Sequence, residues 1–222
     1  MKTLVSLTAL ALAAFSLPAK ADVVAALSGN NTVTMVDTAT KKVTGSWTIS
    51  GATGPILGID VRPADGKLYA LTGDGSVFTV DIMSGKAMLV VKLDRTLPPG
   101  AKATVDFNPA ADRLRIIGSD GTNLRANLAD GKVMVDGTLK YADGDANRGK
   151  MPMVTGGAYS NSFAGTKETA LYDIDAATGT FTKQAPPNDG VLMTLGTLPV
   201  KGDFGFDIAA DGKGGNRGWL VS

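Results

Sequence analysis

The chain has 222 residues, with 22 Lys and Arg against 21 Asp and Glu, and it contains neither histidine nor cysteine. A net charge of +1 without a basic cluster excludes the electrostatic grip on phosphates that nucleic-acid binding needs, and excludes simple adhesion to anionic membranes. The missing residue types remove disulfides, thiol nucleophiles, thiolate and imidazole metal sites, and Ser-His or Cys-His pairs, so any hydrolytic chemistry would have to run on carboxylates, tyrosine or lysine.

The first residues read as an export signal. Lys2 supplies the positive start, residues 4–17 form an apolar run, and Ala19-Lys20-Ala21 is a small-x-small cleavage site. Pro18 and Lys20 close the run short of the roughly 20 apolar residues of a membrane span. We therefore expect a signal peptide at 1–21, a single domain at 22–222, no transmembrane segment after processing, and a periplasmic or extracellular location. Cleavage removes Lys2 and Lys20 and no acid, taking the balance from +1 to −1.

Beyond the signal, short alternating runs such as Thr32-Val33-Thr34-Met35-Val36 and Ser76-Val77-Phe78-Thr79-Val80 read as strands. Eight Asp-Gly pairs, at Asp65, Asp74, Asp120, Asp130, Asp136, Asp143, Asp189 and Asp211, supply turn chemistry between them. Landmarks recur in order. A strand ending in a polar residue before a turn appears at Asp37, Asp81, Asn127 and Asp175, at spacings of 44, 46 and 48. A second landmark precedes it, as Gly58-Ile59-Asp60, Thr104-Val105-Asp106 and Gly205-Phe206-Asp207. Four strands in each such period predict an all-β, propeller-like domain of about five blades of four antiparallel strands. The first unit lacks its innermost strand, and the last blade is incomplete. Residues 141–153 form a polar insertion where the inner strand of the fourth unit is expected.

Several segments together resemble the bacterial exported family known as "domain of unknown function 4394". They are Leu171-Tyr172-Asp173-Ile174-Asp175, the run from Gln184 through Pro187-Asn188-Asp189-Gly190 to Leu192, Asp106-Phe107-Asn108-Pro109, Asn123-Leu124-Arg125-Ala126-Asn127 and Gly144-Asp145-Ala146-Asn147. The resemblance implies an exported, propeller-like protein and brings no established activity.

Three residue sets carry candidate chemistry. Asp60, Asp106 and Asp207 recur near the innermost strands. They are either channel carboxylates for a cation or for acid–base work, or structural groups accepting backbone hydrogen bonds within their own blades, and recurrence favours the structural role. Asn123, Arg125 and Asn127 alternate on one strand and form a fork for a sugar or carboxylate, or else polar dressing of an exposed edge strand. Asp143, Asp145 and Asn147 have the alternate spacing that opens oxygen-ligand calcium loops. Arg148 stands where such loops carry glycine, and Glu168 is the only glutamate in the chain, so the usual bidentate ligand is missing.

The leading functional expectation is an exported, non-catalytic propeller that binds a small ligand, glycan or protein. Its partners exclude nucleic acid, and no cofactor is required, calcium being the one ion the sequence admits. A carboxylate-dependent enzyme acting on glycans and a calcium-stabilised structural module are the alternatives.

Overall fold

The computed structural model describes residues 23–199 and 202–221, so the expected signal peptide lies outside the described residues. The first sheet is the meander β1 (Val23–Ser28), β2 (Thr32–Asp37) and β3 (Lys42–Thr48). The second comprises β4 (Ile56–Val61), β5 (Leu68–Thr72), β6 (Ser76–Val80) and β7 (Ala87–Lys92), and the third β8 (Ala103–Asn108), β9 (Arg113–Gly118), β10 (Asn123–Ala126) and β11 (Val133–Val135). In the fourth, β12 (Lys140–Tyr141) adds in parallel outside the meander β13 (Val154–Tyr159), β14 (Leu171–Asp175), β15 (Thr180–Gln184) and β16 (Val191–Thr197). A two-stranded ribbon, β17 (Gly205–Ala210) and β18 (Asn216–Val221), follows. One turn of 3₁₀ helix, Pro187–Asp189, is the only helix among the described residues, and none there is long and apolar enough to cross a membrane.

The sheets are the blades of a β-propeller, with β4, β8, β13 and β17 as neighbouring inner strands. Four sheets qualify as blades, and the fifth unit contributes only the ribbon, so the expected count of about five is slightly high. The inner strand of the fourth blade is β13, placed after the polar insertion rather than replaced by it.

Turn chemistry explains the meanders. At the recurring landmark, Asp37 Oδ1 accepts the Thr40 N–H at 2.7 Å, Asp81 Oδ1 accepts that of Ser84 at 2.8 Å, and Asp175 Oδ1 accepts that of Ala177 at 2.8 Å. These side chains close turns that the backbone alone would leave unsatisfied. The strands then alternate between blade interfaces. Ile116 joins the core between the second and third blades with Tyr69, Leu71, Phe107 and Leu124, while its neighbour Ile117 joins the next core with Tyr159, Leu171 and Leu192. A further core, around Val33, Ile56, Leu68 and Phe78, seals the first blade against the second.

Near the axis the inner strands approach so closely that one of each facing pair is glycine. A Cβ on Gly58 would lie 2.6 Å from Val105 Cγ2, one on Gly157 would lie 2.8 Å from Thr104 Cγ2, and one on Gly156 would lie 2.8 Å from Phe206 Cβ. Among the described residues, the equivalent Gly205 of β17 has nothing within 4 Å of that position. Gly58→Ala should therefore cost about 2 kcal/mol through overpacking, whereas Gly205→Ala should be close to neutral. Urea denaturation of the two variants checks the pair, and equal costs would refute the close-approach argument.

Candidate functional site

The aspartates that recur along the chain meet at the axis. One carboxylate oxygen from each of Asp60, Asp106 and Asp207 lies within 4.8 Å of the others. Cross-strand register explains this: the three residues stand opposite Tyr69, Arg115 and Trp219, the same row in each sheet. The fourth blade has Ala158 there, opposite Tyr172.

Their hydrogen bonds differ from the expectation that each would serve its own blade. Asp60 Oδ1 does accept the Val61 N–H at 2.7 Å, but its Oδ2 accepts the Phe107 N–H of the next inner strand, also at 2.7 Å. Asp106 Oδ1 likewise accepts the Tyr159 N–H of β13 at 3.1 Å. The carboxylates are thus latches between blades. They cross because the inner strands lie near enough for a two-bond side chain to reach the neighbouring backbone. Among the described residues Asp207 makes only the local bond, from the Ile208 N–H at 2.6 Å.

Electrostatics at the triad follow from crowding. Burial, and then the nearby Asp207 charge, push the Asp60 carboxyl well above its ordinary range against the two amides that favour ionisation. Burial, and then Asp60 and Asp207, do the same to Asp106, which is 4 % exposed. Desolvation also raises Asp207, although much of that residue faces solvent. Three like charges so close retain protons or attract a cation.

The other two candidate sets are placed elsewhere. β10 is the third strand of its blade and not an edge, with β11 outside it. Asn123 is buried, its amide donating to the Gly137 and Pro187 carbonyls at 3.1 and 3.0 Å. Arg125 forks onto Asp136 at 3.2 and 3.1 Å, and Asn127 closes the following turn by accepting the Ala129 N–H. In the insertion, Asp143 points outward beside Arg148. Asp145 accepts the Thr194 N–H at 2.6 Å and the Asn147 N–H at 2.8 Å, while Asn147 Oδ1 accepts from Lys150 Nζ. Through Asp145 and Asn147 the insertion is pinned to Thr194 of β16.

Two residues that sequence reasoning passed over sit in the junction between the third and fourth blades. Arg115, 2 % exposed, donates to Tyr159 Oη, Asn123 Oδ1, Asp136 Oδ2 and Asn188 Oδ1 at 3.1, 2.8, 2.6 and 2.8 Å. Asp173 is fully buried opposite Gly157 and Thr182, and neither carboxyl oxygen has a hydrogen-bond partner among the described residues. Burial pushes its carboxyl up to about 8, with Arg115 opposing. The signal was a charged residue at an inward position of a strand.

Comparison with known proteins is informative for family and fold. The chain matches the family described as "Domain of unknown function (DUF4394)" over residues 32–222. No curated protein matches it. A structural genomics protein of unknown function from Bacteroides thetaiotaomicron VPI-5482 superposes with a TM-score of 0.58 at 16 % identity, covering 89 % of this chain and 52 % of that one. An auxiliary nutrient binding protein from Bacteroides ovatus ATCC 8483 gives 0.51 at 19 % identity, covering 86 % and 54 %. The chain therefore spans about half the length of these solved relatives, and the likeness is one of fold.

Arg115→Met would leave Asp136 buried with only Arg125 for company, and should cost about 3–5 kcal/mol in chemical denaturation. Asp173 holds its proton to a higher pH folded than unfolded, so its contribution to stability is full below pH 4 and declines as pH rises toward 8. Between pH 6 and 8 the protein should lose on the order of 2 kcal/mol from this group, and Asp173→Asn should remove that part of the slope. An unchanged slope would show that Asp173 ionises normally.

Proposed function

Because the chain belongs to the family called Domain of unknown function (DUF4394), whose description carries no activity, we propose a function from the site itself. The protein is an exported, non-catalytic binding propeller whose channel carboxylates load a divalent cation of the calcium class. The observation that carries this reading is the approach of Asp60, Asp106 and Asp207 oxygens to within 4.8 Å of one another. Oxygens that share an ion at about 2.4 Å lie no farther apart than that, and a hard cation takes carboxylate oxygens with water completing its shell. Loading such an ion relieves the repulsion that otherwise holds protons on the triad.

A glycan hydrolase built on the same acids is the weaker reading. Its general acid must reach the glycosidic oxygen, yet Asp106 is 4 % exposed and both oxygens of Asp60 are engaged by amides. A bare ion needs far less access than a sugar ring. A binding role is in keeping with the description of one fold relative as an auxiliary nutrient binding protein, a likeness of fold alone.

Calcium at a hundredfold excess over its Kd should raise the melting temperature by on the order of 5–10 °C at pH 8. The rise should shrink at pH 6, where protons compete. Asp106→Asn keeps an oxygen to accept the Tyr159 N–H and removes a charge, so it should abolish the calcium response without unfolding the protein. A melting temperature indifferent to millimolar calcium and magnesium across this range would sink the cation reading.

A further inference from the structure

Between the third and fourth blades, buried donors and acceptors are left over on both sides. A guanidinium carries five N–H donors. Arg115 uses four of them: Nε on Tyr159, both from Nη1 on Asn123 and Asp136, and one from Nη2 on Asn188. Its second Nη2 donor has no partner among the described residues. On the fourth blade, both carboxyl oxygens of Asp173 and Oε1 of Gln184 are buried and equally without a partner there. Buried polar atoms in folded proteins rarely stay unpaired.

These groups share one neighbourhood. Asp173 stands directly opposite Thr182, and Gln184 follows two residues later on the same face of β15, so the two side chains are diagonal neighbours. Gln184 Nε2 donates to the Pro187 carbonyl at 2.6 Å, and Arg115 holds the adjacent Asn188 at 2.8 Å, which brings both to the same 3₁₀ turn. Asp173 Oδ1 lies against β13, 2.6 Å from where a Cβ on Gly157 would be. Arg115 acts on that carboxyl through its charge, without a hydrogen bond to it. Polar groups held apart in this way call for a bridge. A cation is repelled by Arg115 and an anion by Asp173. What fits is a small neutral molecule that both accepts and donates.

We propose that this junction is a binding site for one ordered water, which accepts from Arg115 Nη2 and donates to Asp173 and to Gln184 Oε1. Three hydrogen bonds are the usual complement of a buried water, and here they use one spare donor and two spare acceptors. Asp173 thereby becomes a positioning residue for Arg115, holding the guanidinium through the water as Asn123 and Asp136 hold it directly. Neither the axial carboxylates nor a bound cation takes part, and the measurements are made in chelator at pH 6.

Asp173→Leu puts two methyl groups where the two oxygens stand, at nearly equal volume, and so separates a wet junction from a dry one by sign. In a dry junction leucine relieves an unpaired buried carboxyl, and the melting temperature rises. With the water in place leucine removes one of its partners, and the melting temperature should fall by about 2–4 °C, the equivalent of one hydrogen bond. Asp173→Asn keeps an accepting oxygen and should stay within about 1 °C of the parent. Magnetic relaxation dispersion of water oxygen, which registers long-lived internal waters, should find one fewer in Asp173→Leu. Should the leucine variant fail to fold, a crystal structure of the parent decides, with a water expected within about 3.2 Å of Arg115 Nη2 and of the Asp173 carboxyl. A rise in melting temperature, an unchanged number of long-lived waters, or a parent crystal structure without that water would each overturn the proposal.

Discussion

The close approach of inner strands around one axis is the constraint on which the rest of the molecule depends. Blades of a propeller widen outward, so their inner strands are forced together until side chains no longer fit between them. This chain answers with a glycine at each contact and a carboxylate that reaches across to the neighbouring amide, as at Gly58 with Val105 and Asp60 with Phe107. A charged acceptor makes the stronger kind of hydrogen bond, and near the axis it ties one blade's inner strand to the next. The same solution repeated in several blades points like charges at one axis. Structure thereby creates the site: Asp60 and Asp106 each latch the next inner strand, and Asp207 joins them from the same row of β17.

The junction between the third and fourth blades is built differently. Beside its apolar core of Ile117, Leu171 and Leu192, this one buries Arg115 among Asn123, Asp136, Tyr159 and Asn188, with Asp173 close behind. Replacement of a buried ion pair by apolar packing is often neutral for stability, whereas loss of one member is not. The network is best understood as fixing geometry: Arg115 and Asn123 reach the Pro187–Asp189 turn and hold the outer end of the fourth blade to the third. Much of what makes the sequence resemble its family, the Asn123 to Asn127 and Gln184 to Gly190 segments, contributes to this clamp.

What was legible in the sequence was what repeats. Turn aspartates, strand alternation and the period of 44–48 residues came from local rules that the fold obeys, and the recurring inner-strand aspartates were found for the same reason. What escaped was what departs from the repeat. β13 reads Val154-Thr155-Gly156-Gly157-Ala158-Tyr159, and its glycines, needed where Phe206 and Thr104 press in, erase the apolar alternation that marks a strand. The direction of the latch was also hidden, because the partner amide lies 47 residues away for Asp60 and 53 for Asp106. Asp145 and Asn147 have the spacing of cation ligands, yet Thr194 of β16 claims the carboxylate, a contact that only the folded chain reveals.

The central claim is that inner-strand carboxylates hold the amides of the neighbouring blade and share one titrating cluster. Proton NMR of the Phe107 and Tyr159 amides tests it most directly. The account predicts that both exchange with solvent as slowly as the core strands. Both should also shift along one titration well above the ordinary carboxylate range, because each reports an acid coupled to the others. Amides that exchange as fast as those of exposed turns, or that show no inflection above pH 5, would contradict it.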